Sequence, residues 1–361
     1  MPSIFSSLMK VFGFLIEQLL EVLLSPISLP LAPHPLKGKC LDLFPSVVFA
    51  KDNLLLYSIP TEPEVIKALS SVGSTKAPGL DGFTALFYKK YWPTFRADVL
   101  SCIWNFFNNK HLLNEQNHNF IALVPKQNGS HTVHQFRPIS LCNIVYKIIS
   151  KILANRLNAL LPKIISPFQS AFVPGRNIQD NSILAHKLLH NFKKGKGGLM
   201  FLKLDMEKAF DKMEWPFILS IKKKLGFHLT WISCIEIYIS SSSFSILING
   251  SSFDRFSSGR GLRQGDPLSP FLFILGSKVL SRLRKREELF GNIRGLNIAK
   301  NNPAIHHLLF ADDLLLFGKA SIFEASNFKL CLDKYCLWSG QTINASKSFI
   351  RFSKSTNPTT S

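Results

Sequence analysis

An α+β fold is expected for this chain, and three stretches predict it. Residues 120–141 read as a β-hairpin: Phe120-Ile121-Ala122-Leu123-Val124, then Asn128-Gly129, then a returning segment to Leu141. Asn-Gly tolerates positive φ at both positions and so favours a tight turn. A long amphipathic helix follows. Val145, Ile148, Ile149, Ile152, Leu153, Leu157, Leu160 and Leu161 line one face, Lys147, Lys151 and Arg156 the other, with Asn143 as N-cap and an end near Pro162. Third, the apolar runs His307–Phe310 and Leu314–Phe317 flank Asp312-Asp313, the pattern of a second hairpin with both Asp at its tip.

The other elements follow in order. Residues 4–32 are largely apolar, but Glu17 and Glu21 interrupt them, so no run reaches the roughly 18–20 residues of a spanning helix. Phe12, Leu15, Ile16, Leu19 and Leu23 recur at helical spacing; a packed amphipathic helix, a signal-like leader and a stretch added by a mis-set start are all open readings. Pro26, Pro30, Pro33 and Pro35, then Lys37-Gly38-Lys39, form a linker-like break. Pro63 begins a helical pattern through Val65, Ile66 and Leu69 that stops at Gly73. A basic, glycine-rich loop, Lys193-Lys194-Gly195-Lys196-Gly197-Gly198, precedes the apolar strand Leu199–Leu204.

Composition narrows the function classes. With 46% hydrophobic residues and 31 Phe in 361 residues, a sizeable core can form and disorder as the dominant state is excluded. Lys+Arg number 43 against Asp+Glu 23, a net charge of +20, which suits a polyanion such as nucleic acid or an anionic membrane surface. Six scattered Cys argue against a disulfide framework and fit a reducing compartment. With no clear targeting signal, nucleus or cytoplasm is the expected location, without a dedicated membrane partner.

Three carboxylates stand out. Asp205 ends the strand Leu199–Leu204, and Asp312 and Asp313 sit between two apolar runs. Acids crowded between buried strands repel one another unless something neutralises them. Two hard cations with oxygen ligands would do so, and such a pair activates an attacking hydroxyl and stabilises a leaving oxygen in phosphoryl displacement. A lone Asp-Asp turn, by contrast, is more often a solvated loop.

The neighbouring residues add weight. Around the first acid the chain reads Leu204-Asp205-Met206-Glu207-Lys208-Ala209-Phe210-Asp211. Further on come Gly261-Leu262-Arg263-Gln264-Gly265-Asp266-Pro267-Leu268-Ser269-Pro270 and Phe310-Ala311-Asp312-Asp313. Lys76-Ala77-Pro78-Gly79-Leu80-Asp81-Gly82, Phe136-Arg137-Pro138-Ile139-Ser140-Leu141, Ala171-Phe172-Val173-Pro174-Gly175-Arg176-Asn177-Ile178 and Ile343-Asn344-Ala345-Ser346-Lys347-Ser348 agree in order. Together, over about residues 41–350, these blocks closely resemble a reverse transcriptase, more narrowly that of plant non-LTR retrotransposons of the long interspersed element type.

The resemblance implies a right-hand polymerase with fingers and palm, an antiparallel palm sheet, and a thumb absent or nearly so. After an unassigned leader at 1–40, it places fingers at about 41–195 and 215–256 and palm at about 196–214 and 257–361. The implied activity is RNA-directed DNA polymerisation: deoxynucleoside triphosphates added to a DNA primer on an RNA template. Asp205, Asp312 and Asp313 map onto the ligands of two Mg²⁺ ions, with Mn²⁺ as a substitute. Phe210 matches an aromatic gate against the ribose 2′-OH. Gln264 and Gly265 belong to the loop beside the nascent base pair, Lys126 and Arg137 to the grip on the triphosphate, and Lys347 to a lysine that protonates the leaving pyrophosphate. Template binding is expected to be backbone-dominated and to fall steeply with salt.

Rival readings stay in view: an RNA-dependent RNA polymerase, with Asp211 as second acid, a group II intron maturase, and a catalytically silent nucleic-acid-binding remnant of a mobile element. His306-His307 and Cys331 with Cys336 are discounted as metal sites, the former because adjacent strand residues face opposite ways. Arg282, Arg284, Lys285 and Arg286 are read as a solvated helix face, and Lys278 stands where an acidic or neutral residue is expected.

Overall fold

The strands and helices read from the sequence form between Ala50 and Phe352 in the computed structural model, which describes residues 45–132, 135–194, 198–298, 303–354 and 356. The apolar leader with its Pro-rich break, and residues 195–197 of the basic loop, lie outside the described residues. In chain order come α1 (Ala50–Tyr57), α2 (Glu62–Ser71), α3 (Ala85–Lys90), α4 (Trp92–Asn109), β1 (His118–Pro125), β2 (Phe136–Leu141), α5 (Ile144–Asn158) and α6 (Leu161–Ile164). Next are α7 (Ile178–Lys194), β3 (Leu199–Leu204), α8 (Trp215–Leu225), α9 (Leu229–Ser240), β4 (Ser243–Ile248) and β5 (Ser251–Ser257). The chain continues with α10 (Ser269–Leu289), β6 (His307–Phe310), β7 (Asp313–Lys319), α11 (Ile322–Ser339) and β8 (Phe349–Phe352). Two compact units divide these: Pro45–Ile164 with Phe210–Phe273, and, among the described residues, Ile165–Ala209 with Ile274 onward.

The first unit holds a sheet of order β2-β1-β4-β5, in which β1 pairs antiparallel with β2 and parallel with β4. Its β1–β2 hairpin was expected, but Asn128-Gly129 is not a two-residue turn. The register sets Phe120 opposite Leu141 and Val124 opposite Arg137, and the Lys126 N–H donates to Gln135 O at 2.8 Å. Matching the apolar segment Ile139–Leu141 to Phe120–Ala122 leaves the polar stretch 126–132 outside the strands. Gly129 serves a bend within it, at φ +73°.

Helix α5 runs through this unit's core, so its charged residues are not the solvated face that the periodicity suggests. Lys147 is buried and its Nζ donates to Ala77 O at 3.1 Å. Arg156 pairs with both oxygens of Glu64 at 2.8 Å and donates to Leu56 O and Ser58 O at 2.8 and 2.6 Å. Asn143 is the N-cap residue, yet its side chain serves other segments. Its Oδ1 accepts the Asp81 N–H at 3.2 Å, and its Nδ2 donates to Glu115 O at 3.1 Å. A Cβ at Gly79 would stand 2.3 Å from that Oδ1, which is why the Pro78-Gly79 turn needs glycine.

On α8 the Lys222 side chain is fully buried and its Nζ has no hydrogen-bond partner, so burial drives its pKa well below the ordinary lysine value. An unpartnered buried polar group costs about 1–3 kcal/mol. Lys222→Met, which keeps the stem and drops the amine, is expected to raise unfolding free energy by about that amount. Urea midpoints at pH 7 check it; an unchanged or lower midpoint in the variant would refute the account.

The second unit holds a sheet of order β6-β7-β3-β8 in which every neighbouring pair is antiparallel. Leu188 and Phe192 of α7 pack with Phe201, Leu308, Phe317 and Ile305 to form its core. Arg284 is not on a solvated face: it is fully buried, its guanidinium lies 4.4 Å from the Phe328 ring centroid, and Nη2 donates to His306 O at 2.8 Å. His306 and His307 do not face apart. His306 precedes β6, where strand alternation does not hold, and the two Nδ1 atoms stand 2.7 Å apart in the interior. Lys278 is also buried, which brings its pKa down to about 8, with the Arg282 charge adding to the effect. Cys102, Cys142, Cys234, Cys331 and Cys336 are all free thiols. Among the described residues no helix is long and apolar enough to cross a membrane.

Candidate active site

Asp205 follows the last residue of β3, and Asp313 is the first residue of β7. The β3–β7 register pairs Leu204 with Leu314, so Asp205 and Asp313 fall at the same end of neighbouring strands. The β6–β7 hairpin closes on the pair Phe310–Asp313, which leaves Ala311 and Asp312 as the turn. Only Asp312, not both acids, is therefore at the tip. Asp205 and Asp312 are half-buried and Asp313 is exposed.

The carboxylates feel one another. Burial raises the Asp312 pKa above the ordinary carboxylate value, and the Asp313 and Asp205 charges push the same way, while Lys347 opposes them. Lys347 Nζ stands 3.9 Å from Asp205 Oδ2, and Lys203 Nζ stands 3.6 Å from Asp313 Oδ1. Crowded oxygen donors whose repulsion is only partly relieved by two ammonium groups have the chemistry that a divalent cation fits. Among the described residues, no three His, Cys, Asp or Glu side chains are gathered tightly enough to form one closed ligand set.

The Asp205 backbone is held from the far end of the sequence. Its carbonyl accepts the Asn344 N–H at 2.8 Å, and its N–H donates to Ser348 Oγ at 3.2 Å. Met206 bridges Ile343, and the Glu207 N–H donates to Thr342 O at 2.9 Å. The Ile343–Ser348 block is thus a backbone clamp on the first acid, and the 3₁₀ turn Ala345–Lys347 sets Lys347 beside it. The turn bearing Asp312 has its own support, which the sequence reading missed. Ala311 sits at φ +54°, and both its N–H and its carbonyl are bonded to the Gln169 side chain. Gln169 lies two residues before the block that begins at Ala171, and that adjacency was its only signal.

The first unit carries the other expected site residues. Lys126 and Arg137 are exposed and, by the register, share one face of the hairpin as diagonal neighbours. The Phe210 ring stacks on Phe273 with centroids 4.9 Å apart and planes 13° apart. Gln264 is tied at both ends: its carbonyl accepts the Ser140 N–H at 3.0 Å and its Nε2 donates to Asp211 Oδ1 at 3.0 Å. Its amide therefore turns toward Asp211, and β2, Gln264 and the segment after Phe210 form one hydrogen-bonded frame. Leu262 N–H to Phe210 O at 2.8 Å and Trp215 Nε1 to Gly261 O at 2.7 Å extend it. Gly261 is required at φ +90°, because a Cβ would meet Asp211 O at 2.7 Å. Gly265 is exposed at φ +95°. A hollow of about 150 Å³ opens here, lined in part by Asp211, Gln264, Arg260 and Pro138. Beneath the loop, the buried Asp266 accepts from Ser150 Oγ at 2.7 Å, Tyr238 Oη, the Ser269 N–H at 3.0 Å and Ser269 Oγ at 3.0 Å, and so fixes the start of α10.

Residues 124–357 match the family described as reverse transcriptase (RNA-dependent DNA polymerase). The chain is 32% identical over 289 residues to the transposon TX1 uncharacterized 149 kDa protein of Xenopus laevis, covering 80% of this chain and 22% of that protein. It is 27% identical over 283 residues to the retrovirus-related Pol polyprotein from type-2 retrotransposable element R2DM of Drosophila melanogaster, covering 78% of this chain and 25% of that protein. The chain thus spans about a quarter of the length of these curated relatives. Among solved structures, an apo telomerase from Candida tropicalis, truncated from its C-terminal domain, superposes with a TM-score of 0.46 at 17% identity, over 75% of this chain and 56% of that one.

Proposed function

The chain belongs to the reverse transcriptase (RNA-dependent DNA polymerase) family, and from that premise we propose that it carries the nucleotidyl-transfer centre of a non-LTR retrotransposon polymerase. It would add deoxynucleotides to a DNA primer 3′-OH, directed by an RNA template. The observation that carries this reading is the register that sets Asp205 and Asp313 side by side with Asp312 on the adjoining turn. The narrower assignment, to a plant element of the long interspersed type, is supported by the ordered motif blocks in the sequence.

In this reading Asp205, Asp312 and Asp313 hold divalent cations, Mg²⁺ by preference. Such ions, when bound, lower the pKa of an attacking hydroxyl and stabilise a leaving oxygen. The protein's own groups do the rest. Arg137, exposed on β2, grips phosphate oxygens through its planar fork, and Lys126 adds a mobile charge on the same face. Phe210, braced by Phe273, excludes a ribose 2′-OH by steric contact. Lys347, beside Asp205, supplies a proton to the leaving pyrophosphate.

Primer extension on poly(rA)/oligo(dT) with Mg²⁺ or Mn²⁺ tests the proposal. Extension with deoxynucleotides is expected, and Phe210→Val is expected to raise ribonucleotide use by about tenfold or more. Nucleic-acid binding without extension would instead support a catalytically silent remnant. A wild-type preference for ribonucleotides would overturn the reading.

A further inference from the structure

The turn Phe310-Ala311-Asp312-Asp313 contains a conformation that its sequence does not favour. Ala311 sits at φ +54° and is buried. The left-handed region is ordinarily left to glycine, or to Asn and Asp, and for an L-residue with a Cβ it is disfavoured by an equilibrium factor on the order of five or more. Ala311 also has a backbone N–H and carbonyl that need partners in the interior.

One side chain answers both needs. Gln169 is 1% exposed, and its carboxamide faces the Ala311 peptide groups. Its Oε1 accepts the Ala311 N–H at 3.0 Å, and its Nε2 donates to Ala311 O at 3.3 Å. The same Oε1 accepts the Ala171 N–H at 3.0 Å, which fixes which end of the amide is oxygen. The segment around Gln169 is anchored independently of that side chain. The Leu309 N–H donates to Phe168 O at 2.8 Å, the Ser170 N–H donates to Leu309 O at 3.1 Å, and Asn181 Nδ2 donates to both carbonyls, at 3.1 and 2.9 Å. Loss of the Gln169 amide would leave this docking in place and release the Ala311 turn together with the Ala171 N–H.

We propose that Gln169 is a positioning residue for Asp312: by bonding both peptide groups of Ala311 it holds the left-handed turn that sets the carboxylate's place beside Asp205 and Asp313. A shift of one residue's backbone toward ordinary φ would swing the next Cα–Cβ bond away, so the consequence falls on the acid rather than on nucleotide contacts. The inference rests on the polymerase reading for its kinetic consequence, but its structural core does not.

The test is a double-mutant cycle on the full chain with Gln169→Leu, Ala311→Gly and the pair together, measured by steady-state extension and by urea unfolding. Gln169→Leu is expected to lower kcat about tenfold or more with the nucleotide KM within about twofold. Ala311→Gly in the same chain should recover about three- to tenfold of that loss, because glycine occupies the left-handed region without strain. Unfolding midpoints should show the same coupling, with Gln169→Leu less damaging when Ala311 is also replaced. An unchanged kcat in Gln169→Leu, or equal losses in both backgrounds, would overturn the inference. If wild type fails to extend any primer, the polymerase reading falls by itself. The unfolding cycle then decides the role of Gln169: coupling supports it and additivity refutes it.

Discussion

Asp312→Asn is expected to reduce primer extension by about a thousandfold or more while making the protein no less stable, and the two effects come from one charge. The wild-type carboxylate is half-buried next to Asp205 and Asp313, and its pKa is raised by burial and by those neighbours. The amide keeps the size and removes a charge that the fold holds at a cost. Stability should therefore hold or rise slightly, whereas the negative oxygen donor that an acidic centre needs is gone. Extension assays and thermal melts of the same preparations measure both sides. Near-normal extension by the variant would remove Asp312 from the centre. A lower melting temperature would mean that the carboxylate is stabilising, contrary to its electrostatic surroundings.

Acid should unfold the second unit at a pH where ordinary carboxylates are still ionised. Burial, with the charges of Arg284 and Lys285, holds His306 down to about 3 from an ordinary 6.5. His307 is depressed by burial, by His306 and by Arg284. Glu288 Oε2 lies 3.2 Å from His306 Nε2, yet it is not aligned to accept a hydrogen bond. Ser281 Oγ, 2.9 Å from His307 Nε2, and the Phe168 ring, centroid 5.0 Å away, complete the surroundings of His307. The unfolded chain therefore binds protons that the folded chain refuses. Stability falls as pH drops below about 6.5, by about 1.4 kcal/mol per unit for each fully excluded proton. His118, lowered by burial and by Arg255, adds in the same direction from the first unit. Between pH 7 and 5 the urea midpoint should drop steeply, and His306→Gln should make the drop shallower by about one proton's slope. A flat midpoint across that range would show that the imidazoles are charged or wet in the folded protein.

What the sequence made legible follows from which forces leave periodic marks. The strand Leu199–Leu204 and the runs around Asp312-Asp313 are apolar blocks bounded by acids, and they formed where expected because burial of such blocks dominates. The helix after Asn143 was likewise placed to within a residue at its start. Its charged face misled, since Lys147 and Arg156 find carbonyls and Glu64 in the interior, and a one-dimensional pattern cannot distinguish a paired buried charge from a solvated one. Arg284 misled for the same reason, against Phe328 and His306 O. Gln169 and Asp266 left no periodic trace because they act on groups distant in sequence, Gln169 on the Ala311 backbone and Asp266 on the Ser150 and Tyr238 hydroxyls. Gly129 misled as a turn signal, whereas Gly79 and Gly261 stand where another chain segment would strike a Cβ.

Strand β8 has a bearing on the order in which the molecule comes into being. Last in chain order among the strands of the described residues, it covers the outer edge of β3, pairing Lys203 with Phe349 and Met200 with Phe352. During synthesis β3 can pair with nothing on that side until about 150 further residues have been added, and Asp205 waits equally long for Asn344 and Ser348. Through that interval the nascent chain carries an open, apolar strand edge, the kind that captures other chains. Ribosome pausing ahead of residue 343, or slow translation there, should therefore show up as lost soluble yield rather than as an inactive but folded product.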